Sequence, residues 1–561
     1  MMIFSTAFLS GQQFAKTTVC IVGAGAAGIT LACELDGTGI DVLLLEAGGF
    51  GHDQRVHGDY AGAATAPHPD TTAFRRTGFG GTTTIWGGRC VPLDPIDFTR
   101  RQHIPGSGWP IAYEEVAGYY PKAMQYCDAG HADFSVTGSL GTAPPTIDGL
   151  ESDATMLADR IERYSCPTDF GKRYRARLAR SSNVTVLLFA RCIRLVRDAD
   201  KGRIEQLVLV DRAGRRVCVH ADTFVLAGGG LEVTRLLLDS DTSGPGLGNR
   251  HDKLGRYYAC HAESICARLV PGHGKLPFAF EKTLDGVYAR RKLQFSEAAQ
   301  HRHRLLNSAF RLHFPPYADA RHGSAVMSTI YMAKSALVPE HARILHHGVP
   351  DTVVSPRRAH VRNIACGLPH VAAFGMRWLF LRKFARRKLP YTLVPNADGS
   401  YPLEFNCEQT PLPSSRVSLL RERDRHGVRR IQVDWRLARE DVEAACRGFV
   451  VLRDALRRSS SCRLEFDEAR LRAALENATP LGGHHMGTVR MGASPKDGVV
   501  DRNCALFELP NLYIASAAVF PTPGHANPTL TIVALAIRLA AHLRAGRTFP
   551  STAMTETAEQ S

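Results

Sequence analysis

Short β-branched and apolar runs recur along the first 230 residues: Thr17–Gly23 (TTVCIVG), Asp41–Glu46 (DVLLLE), Val184–Ala190 (VTVLLFA), Gln206–Asp211 (QLVLVD) and Asp222–Gly230 (DTFVLAGGG). Each reads as a strand, and the first as a buried parallel one. Ala26–Leu35 (AAGITLACEL) instead carries helical apolar spacing. Strand, glycine turn, helix and strand thus follow one another within about 30 residues, which is a βαβ unit. Residues 55–75, rich in Ala, Thr, Pro and Gly, read as a loop. From 263 to 480 the texture changes to more Arg, His and Pro with fewer glycine turns, the mark of a second domain inserted into the first. Arg377–Arg387 (RWLFLRKFARR) sets aromatics between cations. It reads either as a membrane-surface helix or, the expectation adopted, as a domain helix with its aromatic side in the core and its Arg side wet. No repeat appears at a period of about 20–50 residues. The last eleven residues read as a polar tail.

Composition narrows this picture. At 561 residues the length alone points to about four domains. With 44% apolar and 22% charged residues, disorder is excluded for the bulk of the chain. Fourteen cysteines without a CxxC pair support neither a disulfide framework nor a zinc ribbon, and reduced structural thiols are expected. Residues 1–16 lack the basic start of a signal peptide, so a cytoplasmic protein is expected. The longest apolar stretch, Pro528–Leu543, is interrupted by Arg538 and falls short of the roughly 18 residues of a membrane span, so no integral membrane segment is expected. The net charge of +15 comes largely from dispersed Arg and forms no stripe, and no nucleic-acid motif accompanies it, so no nucleic-acid partner is expected.

The strongest local motif is Gly23-Ala24-Gly25-Ala26-Ala27-Gly28, with Glu46 eighteen residues after its last glycine. It closes a strand and opens a helix. The first glycine permits the tight turn, the second lets backbone approach a pyrophosphate, and the third allows close helix–strand packing. Glu46 is placed to accept hydrogen bonds from a ribose. Two later segments add chemistry: Gly80–Arg89 (GGTTTIWGGR), a glycine–hydroxyl loop able to pack on a flat ring or phosphate, and Gly482–Gly492 (GGHHMGTVRMG). Asn511–Ser516, Phe520–Thr522 and Ala526–Thr531 (ANPTLT) follow.

With Gly108-Trp109-Pro110, Tyr113–Tyr120 and Leu226–Leu238 added, the chain resembles the glucose–methanol–choline (GMC) family of FAD-dependent oxidoreductases over almost its whole length. The resemblance implies an α/β fold, α+β in part. A Rossmann-like FAD-binding domain (14–110, 180–262 and 481–548) would interleave with a substrate-binding domain built on an antiparallel sheet (111–179 and 263–480), leaving 549–561 as a flexible tail. It implies FAD held by Gly23, Gly25, Ala26, Ala27, Gly28, Glu46 and Ala47. Gly81, Thr82, Thr83, Trp86, Gly87 and Gly88 would contribute from the second loop, together with Cys192, Ala227, Ser516, Ala517, Asn527, Pro528 and Thr529. Some members bind flavin covalently through a His just before the Trp. Ile85 stands there, so non-covalent FAD is expected. Many members carry Asp where Ser516 stands.

The family's His-x-x-Gly-Thr pattern picks out His484 as the catalytic His, with His485 out of register. The second catalytic position maps onto Asn527, and His525 lies two residues earlier. The implied reaction removes hydride from a CH–OH carbon to flavin N5. Neutral His484 would take the hydroxyl proton and Asn527 would position the alcohol. The expected substrate is a small alcohol, a sugar, sugar derivative or polyol, with oxygen, a quinone or a redox protein as acceptor. The alternatives are a lyase using flavin without net redox, and a dehydrogenase subunit passing electrons to a separate cytochrome or quinone. Adjacent His484 and His485 seldom converge on one ion and have no third ligand near them in the sequence, so no metal is expected. His301, His303, His346 and His347 read as surface or domain-core residues.

Overall fold

The computed structural model describes residues 3–5, 13–141, 144–198, 200–242, 244–272, 276, 280–333, 354–391, 393–459 and 462–546. The expected helix forms at Ala26–Leu35, between parallel strands Gln13–Val22 and Val42–Glu46. These belong to a nine-stranded sheet in the order 3–5, 184–188, 42–46, 13–22, 216–226, 509–514, 505–506. Every neighbouring pair along it is parallel except the last. Strands Arg191–Asp198 and Arg203–Val210 hang from Arg216–Leu226 as an antiparallel flap. All but the first residue of helix Ala26–Leu35 is buried, and this helix packs on Thr529–Ala545, whose inner face is Leu, Val, Ala and Ile. Parallel strands need such cover on both faces, which explains their unbroken apolar runs.

The second sheet also has nine strands and is antiparallel throughout, in the order 463–465, 259–270, 401–407, 308–312, 288–295, 156–164, 89–90, with 480–486 and 281–282 paired at its sides. A third, small sheet joins Arg416–Arg423 and Arg429–Asp434 to Ala63–Ala64, inside the segment read as a loop; a short helix, Gln54–Gly58, begins that segment. The two-part α/β and antiparallel architecture stands as read, but its boundaries move. Residues 89–90, 259–262 and 481–486, assigned to the cofactor domain, hydrogen-bond within the antiparallel sheet. Helices Tyr120–Tyr126 and Phe170–Arg180, assigned to the other domain, bury Tyr120, Met124, Phe170 and Leu178 in the first core. Composition marks where texture changes, whereas strand partners separated by hundreds of residues decide which sheet a segment joins. The tail expected at 549–561 lies outside the described residues.

The Arg377–Arg387 segment also departs from expectation. Helix Leu368–Trp378 continues as a π-helical turn, Leu379–Lys383. Phe374 packs against an inner cluster of Phe314, Met327 and Ile330, but Phe380 and Phe384 are 62% and 73% exposed. Of the segment's own aromatics Trp378 is half-buried while Phe380 and Phe384 face solvent, so they do not all turn inward. No single helix among the described residues is long and apolar enough to cross a membrane.

Candidate active site

A cavity of about 1790 Å³ lies between the two large sheets. That exceeds the roughly 300–1,000 Å³ of ordinary small-ligand sites, leaving room for a dinucleotide and a substrate together.

At one end backbone lines it. Gly23 has φ +108°, and a Cβ there would meet the Ala227 carbonyl at 2.8 Å. A Cβ on Gly28 would stand 1.9 Å from the Gly23 oxygen. At Gly25 a Cβ would meet nothing within 4 Å: the space beside it is open. Gly25 is also the N-cap of helix Ala26–Leu35 and brings no side chain to its first amides, so an anion can take them. Glu46 Oε1 accepts from the Gly48 and Gly78 amides at 2.9 Å each, and Oε2 from Ala24 at 3.0 Å. Two lone-pair directions per carboxylate oxygen leave one on Oε2. Burial pushes this carboxyl above its ordinary range, against the pull of those amides.

Gly23, Gly25, Ala26, Ala27, Glu46, Ala47, Gly81, Thr82, Trp86, Gly87, Gly88, Cys192, Ala227, Ser516, Ala517, Asn527, Pro528 and Thr529 all line the cavity. Two expected cofactor residues do not. Gly28 is spent on the Gly23 turn. Thr83 points away, donating to the Gly80 carbonyl at 2.6 Å and accepting from the Phe170 amide at 3.1 Å. Both shape the walls without touching the cavity, because the third glycine and the loop hydroxyl serve packing. Ser516 turns its oxygen onto the Ala518 amide at 3.0 Å.

At the other end side chains take over. His484 Nε2 stands 3.1 Å from Asn527 Nδ2, and His484 Nδ1 stands 2.9 Å from His261 Nδ1. Arg89 donates to Asn527 Oδ1 at 3.4 Å, which orients the amide so that Nδ2 donates to His484. The hydrogen-bond network thereby assigns His484 Nε2 as an acceptor, with its proton on Nδ1 toward His261. Burial, then the charges of His525 and Arg311, push His261 down to about 3, keeping it neutral. His485 points elsewhere: its Nδ1 bonds Tyr258 Oη at 2.7 Å, and that hydroxyl also meets His68 Nε2 at 2.8 Å. His525 is fully buried between Lys292 and Asp94, at 3.1 and 3.3 Å. His301 lies at the surface against His103, and His346 and His347 fall outside the described residues.

Several residues of this end escaped the sequence reading. His261 and Glu263 come from strand Ala259–Val270, and with His484 their ligand atoms lie within 4.8 Å of one another. Third groups therefore do stand near His484 in space, contrary to the reason given for excluding an ion. Burial and the neighbouring Glu404 push Glu263 up to about 7. Behind it Arg290 bonds Glu162 and Glu404 at 3.0 Å each, Arg311 bonds Glu162, and Arg89 reaches Glu404 at 3.3 Å. Burial opposes ionisation, but Arg290, Arg89 and Arg311 win and hold Glu404 well below the usual carboxylate range. A sequence signal existed: Glu404, Asn406 and Glu408 alternate with Phe405 and Cys407 at strand period. That is the pattern of a sheet with a polar inner face.

Comparison with known proteins agrees with this geometry. A family model described as GMC oxidoreductase matches residues 411–536. The 2-methyl-1,2-propanediol dehydrogenase of Mycolicibacterium austroafricanum is 24% identical, over 93% of this chain and 94% of its own. The fructose dehydrogenase large subunit of Gluconobacter japonicus is 23% identical over 93% and 96%. Pyridoxine 4-oxidase from Mesorbium loti shares the fold, with a TM-score of 0.51, 17% identity and coverage of 94% and 99%. The chain is similar to GMC oxidoreductases, by the family model in segment 411–536 and by relatives that align over more than nine-tenths of its length. It is accordingly an enzyme, an oxidoreductase acting on CH–OH groups. The family implies FAD, and the glycine cradle, the uncapped helix start and the cavity's size fit that group.

Proposed function

We propose that this enzyme oxidises a hydroxyl-bearing carbon of a polyhydroxylated substrate, a sugar, sugar derivative or polyol, with His484 as proton acceptor and Asn527 as the positioning donor. The observation that carries the reading is the pair His484 Nε2 and Asn527 Nδ2, now bonded to each other at 3.1 Å. An alcohol oxygen inserted there would accept from Asn527 and donate its proton to His484. The His261 contact holds the His484 tautomer that can take it. FAD, when bound, supplies the hydride acceptor, held by the Gly23–Gly28 turn, Glu46 and the Gly81–Gly88 loop. Ile85 before Trp86 supports non-covalent attachment. Glu263, Glu404, Arg89 and His313 in the cavity wall offer donors and acceptors for several hydroxyls at once, and the fructose dehydrogenase relative supports a sugar. Fourteen free thiols support a reducing, cytoplasmic setting.

Acid precipitation should release the yellow flavin into the supernatant. Anaerobic mixing with a panel of sugars and polyols should bleach it, whereas a lyase would leave it yellow. His484→Ala or Asn527→Ala should leave flavin bound and slow its reduction at least ~10²-fold. Bleaching by apolar alcohols but by no polyol would sink the substrate class, and normal reduction in both variants would sink the roles.

A further inference from the structure

Exposed large hydrophobic side chains among the described residues concentrate on one helical elbow, Arg357–Cys366 joined to Leu368–Lys383, with Phe384 just beyond its end. Leu368, Met376, Phe380 and Phe384 are 60%, 56%, 62% and 73% exposed. With Ala372 they recur every fourth residue, so they form one outward stripe. The opposite side of the same helix is apolar too, through Phe374 and Trp378 at the cavity. A helix apolar on both sides is buried on both in a water-soluble context, and here the outer side has no protein against it among the described residues. The elbow is also cationic: Arg357, Arg358, Arg362, Arg377, Lys383, Arg386 and Lys388 are exposed, and no Asp or Glu occurs from Thr352 to Ala397.

We propose that this elbow is a docking surface for an anionic lipid bilayer, lying in the plane of the interface with Phe380 and Phe384 inserted among the headgroups. Apolar residues rimmed by Arg and Lys are the composition such surfaces recognise. The elbow does not cross the bilayer. Its arms meet at 87°, and each is shorter than the about 20 residues a span requires. A second copy of the chain is a poor occupant, because a two-fold contact through this patch would set cations against cations. Val354, Phe374, Trp378 and Pro390 border both elbow and cavity, so docking turns that wall of the cavity toward the lipid.

The test is sedimentation of the full-length holoenzyme with phosphatidylcholine vesicles containing about 30% phosphatidylglycerol. The wild type should pellet, less so with pure phosphatidylcholine and less at high salt. Phe380→Asp with Phe384→Asp should cut binding at least ~10-fold. Neither side chain lines the cavity, so an unchanged melting temperature and dye-reduction rate would show the variant folded. Wild type remaining in the supernatant, or the double variant pelleting equally, would overturn the proposal. So would light scattering that shows a dimer dissociated by the substitutions without vesicle binding. A single Phe380→Ser variant covers the case in which the double variant misfolds, and should bind more weakly than wild type.

Discussion

At the nucleotide end the cavity is walled by backbone: glycines whose missing side chains are the working feature, and a helix start whose amides face open space. At the reaction end the wall is side chain: Glu263, Arg89, Glu404 and His484, gathered from four strands, with Asn527 beside them and His261 behind His484. The first wall is local, since Gly23, Gly25 and Gly28 lie within six residues of one another. The second joins Arg89 to Glu404 and Asn527 across more than 300 positions. A site made of backbone tolerates changes at neighbouring side chains but no added atom at Gly23 or Gly28. A site made of paired charges fails when one partner is lost.

The sharpest break of this contrast is Gly28→Val. Its first added carbon alone would stand 1.9 Å from the Gly23 oxygen, so the turn cannot close, and flavin should be absent from the purified protein. Flavin retained at wild-type stoichiometry would contradict the backbone account. Next comes Glu162→Gln, which leaves Arg311 and Arg290 buried beside a neutral group. Breaking such a pair costs about 3–5 kcal/mol, a fall of several degrees in melting temperature, with FAD affinity in the surviving folded protein little changed. An unchanged melting curve would mean that the charges are dispensable.

The smallest expected effect is a pH dependence. Glu263 is raised in the fold to about 7, so its contribution to stability is full below the ordinary glutamate range and is lost as pH rises through about 7. Glu404, held low by its three arginines, behaves oppositely: its contribution is present above the ordinary range and is lost only in acid. Melting measured at pH 6 and pH 8 should therefore show a decline that Glu263→Gln reduces, and no reduction in that variant would discredit the assignment.

Much of the fold could be read before any coordinate. Helix Ala26–Leu35 and the strand at 42–46 fall where periodicity places them, because apolar runs between glycine turns are local statements about burial. His484 and Asn527 were singled out by motif and come together across 43 positions. Their partner His261 was not legible, since nothing around Cys260-His261-Ala262 differs from a core strand. Nor was the outward turn of Phe380 and Phe384: the alternation of aromatic and cation is the same whether a helix faces a core, a cavity or lipid.

By itself the sequence determined the nucleotide end, since a glycine's freedom and a helix's open amides belong to consecutive residues. Only the tertiary structure decided the reaction end and the exposed elbow. Which strand lies beside which, and which helix face finds no protein, depend on contacts between residues far apart in the chain, and no local pattern encodes them.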